Sequence, residues 1–196
     1  RRRDLGWNTP SMILAVGWLM VAAVIVQLPS WTERNFDAVI AGQSRVIAAN
    51  PSASAYIGRG LAWQAKGDFA EAAADFEAAG RLDPDSGEPP RLLAWLLATS
   101  PKPENRDAQR ALELAEEAIA KGDVHPALLF DTLAAAQAEA ENFQAAAASA
   151  REAARESDDA GNPQVAELLP EIRKRLALYE RHQPYRNTDY GRAVPI

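Results

Sequence analysis

Apolar positions along this chain fall into two patterns. Near the start, Met12 to Val26 (MILAVGWLMVAAVIV) is an unbroken apolar run, extended by Gln27 and Leu28 and bracketed by Pro10 and Pro29. From residue 33 onward apolar and small residues instead return every three or four positions, the spacing that places them on one face of a helix. That spacing predicts a helix at about 33–49, then helix pairs at 53–66 with 69–82, 88–99 with 107–121, and 126–140 with 143–157. A last helix is expected to begin near Asn162-Pro163, where a capping residue precedes proline at the first helical position. Its apolar stripe is Val165, Leu168, Leu169, Ile172, Leu176 and Tyr179, and Pro170 should kink or restart it. The segment "RHQPYRNTDYGRAVPI" follows as an apolar-poor tail with no core of its own.

The helical part repeats itself. "NFDAVIAGQSRVIAANP", "DFAEAAADFEAAGRLDP" and "NFQAAAASAREAARESD" superimpose without gaps, and Phe36 and Phe69 lie 33 residues apart. Alanine has the highest helix propensity and lets helices approach closely, so "EAAADFEAAG" reads as a helix whose small face nests against a neighbour while Phe76 fills the gap. Asp68 is placed to cap that helix, with Glu71 three residues on completing a capping box. Within residues 53–86, Tyr56, Gly60, Trp63, Ala72, Phe76, Ala79 and Pro84 fall at the spacing of a known 34-residue helical repeat. The same places are taken by Phe130, Leu133, Ala134, Ala146, Ala150 and Ala153 in 127–158. In 87–125 they are taken by Leu93, Ala94, Leu97, Ala111, Ala115 and Ala118, with "TSPKPENRD" counted as an insertion. Over residues 35–158 the chain resembles the tetratricopeptide-repeat (TPR) family. Arg59, where the pattern prefers leucine, and Ala150, where it prefers phenylalanine, depart from it.

The resemblance implies an all-α, TPR-like solenoid of helix pairs in which the first helix of each pair lines a concave groove. Carried over by spacing, the groove positions are Ile57, Leu61 and Gln64; Glu88, Arg91 and Trp95; and Leu128, Asp131, Ala135 and Glu139. None is Lys or Asn, the residues with which one subgroup of the family grips a partner's C-terminal carboxylate. Trp95 is the best single candidate for an anchor, because tryptophan dominates interface hot spots; the competing role for it is ordinary interhelical core. Tyr185, Arg186 and Tyr190 in the tail form a second candidate contact.

Composition and charge narrow the setting. With 196 residues, 47% of them apolar, the chain can bury a core, and with no cysteine it has no disulfide, thiolate metal site or cysteine nucleophile. Residues 1–30 hold three Arg and one Asp, a net +2 in a chain whose total is −6, which leaves −8 for the remainder. An acidic body without a basic stripe argues against nucleic-acid binding. As a helix, Ser11 to Leu28 would be roughly 27 Å long at 1.5 Å per residue, close to the hydrocarbon thickness of about 30 Å. A cleaved leader is the competing reading, but cutting at Val21-Ala22-Ala23, the only small-residue site nearby, would leave the apolar stub Val24–Leu28. Three Arg precede the span and only Arg34 lies close behind it, which places the N-terminus in the cytoplasm and the acidic body across the inner membrane, in the periplasm of a Gram-negative cell. Trp7 and Trp31 flank the span, and Trp18 falls near its middle, facing lipid or another transmembrane helix.

No catalytic constellation emerges. His125 and His182 have no ligand partner at helical spacing and are expected to be solvated, and "GQSRV" at Ser44 lacks the second glycine of a nucleophile elbow. "GRGLAW" lacks the third glycine of a dinucleotide fingerprint, and "DPDSGE" lacks the twelfth-position glutamate of a calcium loop and reads as a turn. The expected organisation is a cytoplasmic stub at 1–10, a transmembrane anchor at 11–30, a TPR-like helical body at 31–161, a capping helix at 162–182 and an extended tail at 183–196. The expected function is a non-enzymatic, membrane-anchored scaffold subunit that takes no cofactor, metal or small-molecule substrate. Its partners would be the bilayer, through 11–28, and other protein subunits of a respiratory, photosynthetic or export complex. The alternative is a membrane-tethered assembly factor or chaperone adaptor that binds client segments reversibly in the groove.

Overall fold

Several helices here start where a side chain takes up a free backbone N–H, and two stop at a glycine in the left-handed region. The computed structural model describes residues 31–159 and 163–188. Helix α1 spans Trp31–Ala49, α2 Ala53–Lys66, α3 Phe69–Leu82, α4 Glu88–Thr99 and α5 Ala108–Lys121. They are followed by α6 Pro126–Glu139, α7 Phe143–Asp159, α8 Pro163–Ala166 and α9 Leu169–Tyr179. The fold is all-α, with no strand among the described residues. Ser52 Oγ accepts the Ala55 N–H (3.3 Å), Asp107 Oδ1 that of Arg110 (3.0 Å) and Asn142 Oδ1 that of Ala145 (3.3 Å). Gly67 (φ 87°) and Gly122 (φ 69°) close α2 and α5 in the left-handed region that suits glycine.

The expected cap at Asp68 does not form. Its N–H bonds back to the Trp63 carbonyl (3.0 Å), closing the turn that ends α2, and its backbone (φ −90°, ψ 73°) makes no side-chain cap. The carboxylate lies 3.8 Å from Lys66 Nζ instead. The expected final helix is divided: α8 ends at Ala166, and α9 restarts with Pro170 in its first turn, where a missing N–H costs nothing.

Three hairpins, α2/α3, α4/α5 and α6/α7, follow one another; α1 packs on α2, and α9 packs on α7. Contacts between α3 and α4, between α5 and α6, and between α4 and α6 join the hairpins. Alanine makes the joints: Ala72, Ala79, Ala111, Ala118, Ala134, Ala146, Ala150 and Ala153 are fully buried. Phe76 is 1% exposed and lies over Gly60, where an added Cβ would stand 2.7 Å from its Cε1. Only glycine lets α2 and α3 approach so closely. Arg59 bridges three helices: Nε and Nη2 grip Asp75 at 2.8 and 2.7 Å, and Nη1 donates to Ser44 Oγ at 3.1 Å. That ion pair explains a charged residue at a position that the repeat pattern gives to leucine.

The loops are tied as well. Asp123, after α5, accepts the Gly87 N–H (2.7 Å) and the Ser86 hydroxyl (3.0 Å) from the loop before α4. A Cβ at Gly87 would meet Asp123 Oδ1 at 2.7 Å and the Ala118 carbonyl oxygen at 2.9 Å, so the contact depends on glycine. Among the described residues no helix is long and apolar enough to cross a membrane. The expected span at 11–28, Trp18 within it, and Tyr190 lie outside the described residues.

Candidate functional site

The C-terminal segment runs back over the ends of α4 and α6. Arg175, on α9, comes first: its Nε and Nη2 donate to Asp131 Oδ1 and Oδ2 at 2.9 and 2.6 Å, across 44 residues of sequence. The side chains of Arg175 and Asp131 are 8% and 9% exposed, so this ion pair is part of the core. Burial pushes the Asp131 carboxyl up, against the charge and hydrogen bonds of Arg175. Burial also works against the Arg175 charge, but Asp131 more than offsets it and raises the guanidinium pKa. The guanidinium carbon lies 5.2 Å from the Trp95 ring centre and 5.4 Å from that of Tyr185, within cation–π range of both. The two rings are 6.0 Å apart and tilted by 43°. Beneath them Tyr179 is fully buried, and burial drives its hydroxyl pKa upward.

Beyond α9 the chain continues without regular structure through residue 188. Arg186 Nη2 pairs with Glu139 Oε2 at 2.6 Å, and its Nη1 donates to the Ala98 carbonyl at 3.3 Å. The Asn187 N–H donates to the Thr99 carbonyl at 2.9 Å. These two carbonyls belong to the last turn of α4, the negative end of its dipole, where a cation and an N–H donor are both favoured. Glu139 is shared: Arg106, from the α4–α5 connection, donates from Nε to Oε1 at 2.9 Å and from Nη1 to the Ser100 carbonyl at 3.2 Å.

Of the positions expected in the groove, Trp95 meets Tyr185 of the tail and Glu139 meets Arg186, while Asp131 is linked to Trp95 through Arg175. Of the others, Arg91 lies near enough for its charge to act on Asp131. Arg91 is held by Glu88 at 2.8 and 2.6 Å, Ile57 packs on the core around Phe76, and Ala135 is buried. Leu128 is half-buried, and its carbonyl accepts the Thr132 hydroxyl at 2.8 Å. Leu61 is 44% exposed, whereas Gln64 is buried and so is not offered to a partner. The histidines are more engaged than expected: His125 Nδ1 caps α6 by accepting the Ala127 N–H (3.2 Å), and the exposed His182 ring stacks on Phe143 at 5.3 Å.

Sequence reasoning missed Arg175 and Arg106. A signal existed for the first: Arg175 stands three residues after Ile172 and four before Tyr179, inside the apolar stripe of α9. A lone cation at such a position calls for a buried anion. Arg106 lay in the insertion and carried no periodic signal. Among the described residues no three His, Asp or Glu side chains gather where they could hold a metal ion. Compared with protein-family models, curated proteins and solved structures, the chain matches none of them.

Proposed function

We propose that this chain is a non-catalytic, membrane-anchored scaffold subunit: a TPR-like stack of helix pairs, tied by residues 11–28 to the inner membrane, that holds other polypeptides in place within a larger membrane complex. The observation that carries this reading is the α4–α6 face, which grips an extended polypeptide segment through a ring, a carboxylate and two backbone carbonyls. That is the chemistry of peptide recognition. The apolar run in residues 12–26 and the arginines before it support the anchor, with the N-terminus in the cytoplasm and the helical body in the periplasm. A face already filled in cis favours a resident subunit over an adaptor that must keep its groove open to clients.

Exchanging residues 11–28 for an unrelated apolar helix tests the subunit reading. The variant should still insert into the membrane but lose its place in the complex, as blue-native electrophoresis of solubilised membranes would show. Unchanged incorporation would remove the anchor from the contact, and a variant and parent that both migrate alone would remove the subunit reading.

A further inference from the structure

Trp95, Glu139 and the carbonyls of Ala98 and Thr99 read three consecutive features of an extended chain: a ring, a guanidinium and a backbone N–H. We propose that this face is an exchangeable docking site for an extended segment in which an aromatic residue is followed by arginine. Residues 183–188 are then a built-in ligand, which keeps the face closed until a partner's segment of the same chemistry displaces it on assembly.

Three observations carry the proposal. First, the receiving groups sit on α4, α6 and α9, helices held by their own neighbours, so the face does not depend on the tail for its shape. Second, its charges stay compensated when the tail leaves. Asp131 is met by Arg175 of α9, and Glu139 keeps Arg106 on Oε1, so release leaves no isolated buried anion. Third, the tail arginine is less buried than the core one, although their carboxylates are buried alike: Arg186 is 27% exposed, against 8% for Arg175. The fold thus separates a permanent arginine from a removable one. Arginine suits the site because its planar, preorganised fork reaches the Glu139 carboxylate and the Ala98 carbonyl together. The aromatic residue must come just before it, since Trp95 and Arg175 offer a ring and a cation to whatever lies there.

The proposal rests on the scaffold reading for the existence of a partner, but its test is separate. A chain that stays in its complex yet never exchanges its tail would keep the scaffold and lose the latch. The full chain, purified in mild detergent, is titrated with a fluorescent peptide of the sequence RHQPYRNTDY. The Tyr185→Ala/Arg186→Ala chain, whose own segment competes poorly, should bind the peptide at least about tenfold more tightly than the parent. A peptide with glutamate in place of its second arginine should not bind to either. Equal binding by a variant that still unfolds cooperatively would overturn the proposal. A second readout needs no variant: in the parent chain, excess peptide should speed hydrogen exchange at the Asn187 amide and leave the amides of α6 unchanged. Exchange at Asn187 that is indifferent to saturating peptide would make residues 183–188 a fixed strap.

Discussion

Arg175 and Asp131 differ from the other charged pairs of the molecule in how little water reaches them. Exposed pairs such as Lys174–Glu171, with side chains 71% and 53% exposed, are worth little. Removing one member of a buried pair leaves the other uncompensated, so Arg175→Met should cost about 3 kcal/mol or more of unfolding free energy at neutral pH. The sign of the pH dependence follows from Asp131. Without its guanidinium the buried carboxyl keeps a raised pKa in the folded state, so the variant is relatively stable below the ordinary carboxylate value and loses that stability as pH rises through the folded one. Urea midpoints at pH 4 and pH 7 should show the larger deficit at pH 7, and replacing Asp131 by Leu in the same chain should recover most of it. An equal deficit at both values would mean that packing, rather than charge, is what Arg175 supplies. The pair was only half legible in the sequence. Asp131 stood at a predicted groove position and Arg175 inside a stripe, but which cation meets which anion 44 residues away is decided by how α9 docks, not by helical spacing.

Helix boundaries, by contrast, were readable almost residue by residue, because local chemistry sets them. The ends of α2, α3 and α4 fall at the predicted residues, where Ser52, Gly67 and the turn from Asp83 to Gly87 act within a few positions of themselves. Asp68 failed as a cap because its backbone (φ −90°, ψ 73°) lies outside the usual capping conformation and its carboxylate lies by Lys66, which spacing cannot foresee. The tie between Asp123 and Gly87 was equally hidden, since it joins loops 36 residues apart. The Gly87 N–H, with help from the Ser86 hydroxyl and the nearby Lys121, holds the Asp123 carboxyl below its ordinary value of 3.8. A depressed carboxylate contributes stability at pH values above the ordinary value and loses it as pH falls through the depressed one. Asp123→Asn should therefore lower stability at pH 7 by less than about 1 kcal/mol, because the site is solvent-screened. It should also flatten the part of the acid-unfolding curve just below pH 3.8. Thermal melts of both chains from neutral to acid pH would check this, and an unchanged acid limb would show that the loops are held by other contacts.

For the whole molecule, alanine-lined hairpins stack side by side, and the C-terminal segment lies on the face made by α4 and α6. The sequence showed the repeat, the acidic body, the apolar run and the tail as separate features. It did not show the tail closing on Trp95 and Glu139, because that return depends on the second and third hairpins first setting the distance between α6 and α4. Our proposal is that such a chain, on a membrane anchor, holds polypeptides and transforms none. Purification of the tagged full chain from native membranes in mild detergent, followed by a high-salt wash and quantitative mass spectrometry, tests that most directly. A resident scaffold co-elutes with the same protein subunits in fixed stoichiometry before and after the wash. Elution of the chain alone, from membranes that were never exposed to salt, would contradict it.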